Sequence, residues 1–193
     1  MADAWTRRDL LLGGLNRLKR RLAERPDAPP LPNPVRPPGA LPEASFLATC
    51  ERCHACIEAC PNQVLAAITG RGEHLDGTPQ MAFTEGFCER CRACAEACPT
   101  GALHRRTEGR AADPGVAEVL TGLCLNQAGF AMCLSCRERC PEAAIQMVHL
   151  GLPMVDAERC TGCGACCFVC PTSPRAIEVI AAQRPEPPGA PPA

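Results

Sequence analysis

Residues 160–171 read C-T-G-C-G-A-C-C-F-V-C-P, and this stretch decides the fold. Cys160, Cys163, Cys166 and Cys170 stand at the spacing C-x2-C-x2-C-x3-C-P. Three thiols spaced this closely need a tightly looped backbone that curls round one corner of what they bind and turns its amides towards it. The fourth thiol, on the turn that leaves the loop, reaches a different site. Such a run is informative in pairs, and the chain has two pairs.

The first run is Cys50, Cys53, Cys56 and Cys60 with Pro61, and the second is Cys88, Cys91, Cys94 and Cys98 with Pro99. C-E-R-C-H-A-C-I-E-A-C-P and C-E-R-C-R-A-C-A-E-A-C-P differ at only two of twelve positions, which points to an internal repeat. The third run departs from the pattern. Cys133, Cys136, Cys140 and Pro141 occupy the later positions, but Phe130 stands where the first cysteine belongs. Cys124 is the substitute, giving C-x8-C-x2-C-x3-C-P.

This spacing is the one that holds [4Fe-4S] clusters. Among 193 residues there are 17 cysteines and 21 prolines but no tyrosine, one tryptophan and five phenylalanines, so large side chains cannot fill a core of ordinary size. Four [4Fe-4S] clusters with their thiolate shells would. A disulfide scaffold fits poorly, because the cysteine number is odd and C-x2-C-x2-C leaves few partners in bridging geometry. Zinc is the other rival, but a four-ligand site of paired C-x2-4-C units has no use for the third cysteine.

The formal charge of −1 gives no basic bias towards nucleic acid. Residues 1–25 carry seven basic and three acidic residues, and a helix there would line up Leu11, Leu15, Leu18 and Leu22. That segment is expected to be a basic amphipathic helix, solvated or used to dock an acidic partner or touch a membrane surface peripherally. T-R-R-D-L resembles a twin-arginine export signal, but the apolar run that follows is short and holds two glycines, so the segment is read as retained and the protein as cytoplasmic. No stretch is long and apolar enough for a transmembrane span. Residues 26–44 are proline-rich, an extended linker or surface strap, and 183–193 are a proline-rich disordered tail. Between runs one and two, residues 62–87 have room for a short helix and a hairpin turning at Asp76-Gly77. After Pro141 the text reads as a short helix and two strands joined near Leu150-Gly151-Leu152.

The paired runs resemble bacterial two-cluster ferredoxins over residues 45–182. This implies an α+β chain of two tandem ferredoxin-like modules, 45–110 and 111–182. The R-R near the start, the approach R-P-P-G-A-L-P-E-A-S-F at residues 36–46 and the stretched third run resemble more narrowly the NapF family of ferredoxin-type proteins from periplasmic nitrate reductase systems. The approach is shared with the NapG and MauM ferredoxins, which are exported; the lack of an export signal favours NapF. The resemblance implies a cytoplasmic accessory protein, a polyferredoxin that helps mature or reduce the catalytic subunit of periplasmic nitrate reductase before its export. The alternatives are an electron-transfer subunit between a donor and a reductase, or an iron-sulfur redox sensor.

Carried over from the two-cluster ferredoxins, the rule assigns Cys50, Cys53, Cys56 and Cys98 to one cluster and Cys88, Cys91, Cys94 and Cys60 to a second. Cys124, Cys133, Cys136 and Cys170 would hold a third, and Cys160, Cys163, Cys166 and Cys140 a fourth. Nested pairing, run one with four and two with three, is the alternative. Cys167 is left over, as a small buried residue, a substitute ligand or a redox-sensitive thiol. His54 is expected to face solvent or to tune a cluster. No phosphate loop, dinucleotide fingerprint or nucleophile motif is present, so no enzyme activity is expected and the partners would be redox proteins.

Overall fold

A computed structural model describes residues 32–104, 113–127, 129 and 132–182. The N-terminal helix expected at 1–25 and the tail at 183–193 lie outside the described residues.

The described part of the proline-rich segment packs into the protein. Pro34, Arg36, Pro37, Gly39 and Ala40 are buried. Proline offers no amide to the segment, so the bonds run from its neighbours: Met81 N donates to Val35 O (2.8 Å) and His104 N to Gly39 O (2.7 Å). Gly39 has φ +78, and a Cβ there would sit 2.6 Å from the His104 carbonyl oxygen, so glycine alone lets the strands approach. Ala40 forms an isolated antiparallel bridge with Leu103.

Arg36 is the polar centre of this region. Its guanidinium grips the Glu43 carboxylate with Nη2–Oε1 at 2.6 Å and Nε–Oε2 at 2.9 Å. Nη1 donates to Thr78 Oγ1 and Pro79 O, both at 2.8 Å, and the group stacks 4.6 Å from the Phe46 ring centroid. Glu43 opens helix α1 (Glu43–Thr49), where a carboxylate suits the helix dipole.

Three two-stranded antiparallel sheets follow. β1 (Leu65–Ala67) pairs with β2 (Pro79–Met81), β3 (Gly115–Val119) with β6 (Ile177–Ala181), and β4 (Ile145–Met147) with β5 (Pro153–Val155). The β4–β5 connection is a 3-10 turn at His149–Gly151, near the expected place. The β1–β2 connection is wider than a tight turn. It spans residues 68–78 and is braced by the Asp76 carboxylate, which accepts from Gly70 N and Arg71 N, while Gly77 N donates to Ile68 O. The short helices expected after Pro61 and Pro141 are absent among the described residues, where turns stand instead. Helix forms one step earlier, inside the cysteine runs: α2 (Ala55–Glu58), α3 (Ala93–Glu96), α4 (Ser135–Arg139) and α5 (Ala165–Val169).

Residues far apart in sequence meet between the second and fourth runs. Cys88 N donates to Cys163 O at 2.8 Å, and Arg175 Nη2 donates to Phe83 O at 2.9 Å. The Phe87 and Phe168 rings lie 6.1 Å apart between centroids, with the Arg139 guanidinium 4.8 Å from the Phe87 centroid. The core holds Phe46, Ile68, Leu103, Pro37 and Cys167 fully buried, and most of its remaining members are small aliphatic residues and cysteines.

Candidate metal centres

In three of the runs, the third and fifth residues adopt left-handed backbone. These are Arg52 (φ 54) and His54 (φ 63), Arg90 (φ 59) and Arg92 (φ 67), and Gly162 (φ 64) and Gly164 (φ 78). The alternation turns successive amides to one side, a concavity suited to anions such as the sulfide of a cluster. Left-handed backbone is costly for residues with a Cβ, and side-chain bonds offset it in run one. Arg52 donates to the carbonyls of Asp76 (3.0 Å) and His74 (3.1 Å), and His54 Nε2 meets Gly77 O at 3.0 Å, so the wide hairpin loop docks on the first run. In run four the neighbours demand glycine. A Cβ on Gly162 would lie 2.4 Å from Gly115 O, and one on Gly164 would lie 2.0 Å from Phe83 Cδ1.

The thiols fall into four groups. Cys56 lies within electrostatic reach of Cys50, Cys98 and Cys53. Cys88 lies within reach of Cys60 and Cys91, and Cys94 within reach of Cys88 and Cys60. Cys140, Cys160, Cys163 and Cys166 line one cavity, and Cys124, Cys133, Cys136 and Cys170 line another. Among the described residues, no three His, Cys, Asp or Glu side chains close on a point where a single metal ion would sit. The thiols stand round wider spaces.

Three pairs of thiols lie within electrostatic reach across the groups: Cys94 with Cys56, Cys88 with Cys163, and Cys136 with Cys166. They put the groups in a row, the Cys50 group first, then the Cys88 group, the Cys160 group and the Cys124 group.

Burial pushes the inner thiols up, Cys56 and Cys136 to about 11 and Cys94 to about 12, with neighbouring thiols adding to the shift. Cys166 is raised by its bond to the Cys167 thiol and then by burial. Cys98 and Cys170 run the other way. Burial raises each, but backbone amides and the hydroxyls of Thr100 and Thr172 together outweigh it and hold both below the ordinary thiol value.

These features fit a [4Fe-4S] cluster. Every group offers four thiols, and amides reach sulfur from Arg90 to Cys88, Ala117 to Cys160, Ala144 to Cys140 and Ala176 to Cys170 at 3.3–3.4 Å. The buried Thr161 lines the Cys160 cavity, where its hydroxyl acts on the Cys163 thiol against the effect of burial.

Some functional residues escaped the sequence reading. Asn126 is buried and clamps the long third run: its Nδ2 donates to Cys133 O (2.9 Å) and Gly151 O, and Cys133 N donates to its Oδ1 (2.6 Å). Thr100 and Thr172 are the third residues of C-P-T in runs two and four, a signal visible in the text. Cys167 is buried on α5.

A model described as a 4Fe-4S dicluster domain matches residues 49–102. The methylamine utilization ferredoxin-type protein MauM of Methylorubrum extorquens is 42% identical over 160 residues, 76% of this chain and 72% of the relative. The ferredoxin-type protein NapG of Escherichia coli K12 is 36% identical over 162 residues, 76% of this chain and 70% of NapG. The ferredoxin-type protein NapF of the same organism is 34% identical over 152 residues, 77% of this chain and 87% of NapF. Cysteine groups, amide-lined loops and these likenesses agree: the chain belongs to the ferredoxin-type 4Fe-4S proteins that include MauM, NapG and NapF.

Proposed function

We propose that the chain binds four [4Fe-4S] clusters in two tandem ferredoxin-like modules, 45–110 and 111–182, and carries electrons along them between two redox proteins. The ligands would be Cys50, Cys53, Cys56 and Cys98; Cys88, Cys91, Cys94 and Cys60; Cys160, Cys163, Cys166 and Cys140; and Cys124, Cys133, Cys136 and Cys170. The clusters supply one-electron chemistry. The chain's own part is to exclude water, aim amides at sulfur and set the spacing. Seven of these thiols, Cys56, Cys88, Cys94, Cys136, Cys160, Cys163 and Cys166, are held above the ordinary thiol value, so loading must expel protons there and is favoured by higher pH.

The observation that carries this reading is the contact of Cys88 N with Cys163 O, which joins the two inner groups and makes the row continuous. Iron and sulfide analysis of anaerobically prepared protein tests it, with about 16 of each per chain expected from four four-iron clusters. Electron paramagnetic resonance of the reduced protein should show spin coupling between neighbouring clusters. About 8 iron per chain, or uncoupled signals at full loading, would overturn it.

A second reading is supported by the likeness to NapF over 87% of that protein. In it, the chain works in the cytoplasm on the catalytic subunit of periplasmic nitrate reductase before export, helping its cluster maturation or reduction. The higher identity to MauM weighs towards the carrier. Deleting the gene separates the two. A reductase short of its own cluster supports maturation, and a fully loaded but electron-starved enzyme supports the carrier.

A further inference from the structure

The cavities of the Cys160 and Cys124 groups are alike in their neutral donors to sulfur. In the first, Ala117 N reaches Cys160, Ala144 N reaches Cys140, and the Thr161 hydroxyl acts on Cys163. In the second, Ala176 N reaches Cys170, and the hydroxyls of Thr172 and Ser135 lie 3.2 Å and 3.6 Å from the sulfurs of Cys170 and Cys133.

They are not alike in charge. Glu142 lines the Cys160 cavity, whereas no Asp, Glu, Lys, Arg or His among the described residues lines the Cys124 cavity. Glu142 follows Cys140-Pro141, the place that Thr172 holds after Cys170-Pro171, so a carboxylate stands in one site where a hydroxyl stands in the other.

The charges nearby do not cancel this difference. Arg90 Nη1 lies 4.0 Å from the Glu142 carboxylate, but its guanidinium also lies 3.4 Å from the buried Asp113, and one cation between two carboxylates leaves a negative charge. Asp156, Glu158 and Arg159, just ahead of Cys160, leave another on the same side. Arg137, Glu138 and Arg139 are exposed and fill the gap between Cys136 of one group and Cys140 of the other, so they bear on both alike. Arg175 is shared too: Ala176 beside it lines the Cys124 cavity, and its guanidinium reaches Phe83 O, next to Gly164 of the other.

Place in the row acts in the same sense. A [4Fe-4S] cluster held by four thiolates is anionic; the Cys160 group stands between two such neighbours, the Cys124 group beside one. Negative charge nearby opposes the arrival of an electron.

We infer that Glu142 sets a downhill electron step at this end of the row, holding the Cys160-group cluster at a lower potential than the Cys124-group cluster. The inference rests on both groups being cluster sites. The step moves one electron, oxidising the first cluster as it reduces the second, with no bond made or broken. Electrons that enter the row therefore come to rest at the Cys124 end.

The test is a redox titration of the cluster-loaded full chain, each cluster followed through the hyperfine-shifted β-proton resonances of its own cysteines. In the parent the electron should favour the Cys124-group cluster over the Cys160-group cluster at least tenfold, about 59 mV for one electron. Glu142→Gln should cut that ratio at least threefold, by raising the Cys160-group potential, with iron at the parent level. Glu142→Asp, which keeps the charge, should retain most of the ratio. Arg90→Gln leaves the two carboxylates without their cation and should increase the ratio, so it carries the test with the opposite sign should Glu142→Gln lose iron. A parent electron that rests on the Cys160-group cluster overturns the inference. So does a fall of less than threefold in a fully loaded Glu142→Gln, a fall as large in Glu142→Asp, or a decrease in Arg90→Gln. Iron analysis keeps the two ideas apart: about 16 iron in a parent without the step defeats the role of Glu142 alone, and a lower value defeats the cluster reading.

Discussion

The backbone amide of Cys88 donates to the carbonyl oxygen of Cys163 across 2.8 Å, although 75 residues of chain separate them. The approach depends on Gly164, the next residue, whose missing side chain leaves room for Phe83.

Gly164→Ala therefore carries two penalties. Its Cβ would lie 2.0 Å from Phe83 Cδ1, and its φ of +78 is disfavoured for alanine. Overpacking and left-handed strain together should destabilise the loaded protein by about 2–5 kcal/mol, read from its denaturant midpoint. Adding Phe83→Ala should restore the packing share and leave the backbone share. A Gly164→Ala protein as stable as the parent would mean that the contact is not formed.

Arg36→Lys tests the strap at residues 32–42. Lysine keeps the charge but cannot hold both Glu43 oxygens while reaching Thr78 and Pro79 and stacking on Phe46. The loss should be about 1–3 kcal/mol in chemical denaturation, with iron content unchanged at neutral pH. An unaltered midpoint would show that the guanidinium fork contributes nothing beyond its charge.

The cysteine runs were legible because spacing is a local property. Residues 50–60 and 88–98 could be aligned by eye, and the replacement of Phe130 by Cys124 followed from counting. The position of the β4–β5 turn was also legible, since glycine and the flanking β-branched and apolar residues mark it locally. What could not be read depends on residues that meet only after folding. Arg36 looked like part of a proline-rich linker, yet its partners Thr78 and Pro79 lie about 40 residues away. The left-handed Arg52 and His54 look like ordinary exposed polar residues until the loop at Asp76 and Gly77 is seen to take their side chains. Gly164 could be read as small, but not as small on account of Phe83.

Asn126→Ala should damage one group selectively. It removes two donated bonds and leaves the half-buried amide of Cys133 without its acceptor, up to about 1–3 kcal/mol for each unsatisfied group. With the enlarged loop released, Cys124 and Cys133 are no longer held to one corner. Iron should fall by about four per chain while the other clusters remain. Loss of all iron would instead mean that Asn126 supports the whole fold.

Thr172→Val tests potential tuning at the same end. The hydroxyl lies 3.2 Å from Cys170 Sγ, and a thiolate bound to iron can only accept from it. That bond favours the more negative, reduced state, so its removal should lower the potential of the Cys124-group cluster. A bond of about 0.5–1.5 kcal/mol corresponds to roughly 20–60 mV for one electron. Spectroscopically monitored redox titration reads the shift. A potential that stays fixed or rises would remove Thr172 from the tuning set.

Cys170→Ser and Cys140→Ser, compared directly, decide how runs three and four are crossed. Cys170 stands in the cavity of Cys124, Cys133 and Cys136, while Cys140 stands in that of Cys160, Cys163 and Cys166. Cys170→Ser should therefore free Cys124, Cys133 and Cys136 for alkylation in the native protein and leave Cys160, Cys163 and Cys166 protected. Cys140→Ser should give the reverse. Each variant should lose about four iron, because a site with three cysteines holds its cluster less firmly than one with four. Nested pairing makes a different forecast, in which Cys170→Ser exposes the Cys50 group and Cys140→Ser the Cys88 group. Alkylation mapped by mass spectrometry distinguishes the two, since the exposed cysteines lie in different runs. Exposure of a run's own first three cysteines on loss of that same run's fourth would mean that no crossing occurs, and the two runs would then be separate sites without a covalent brace.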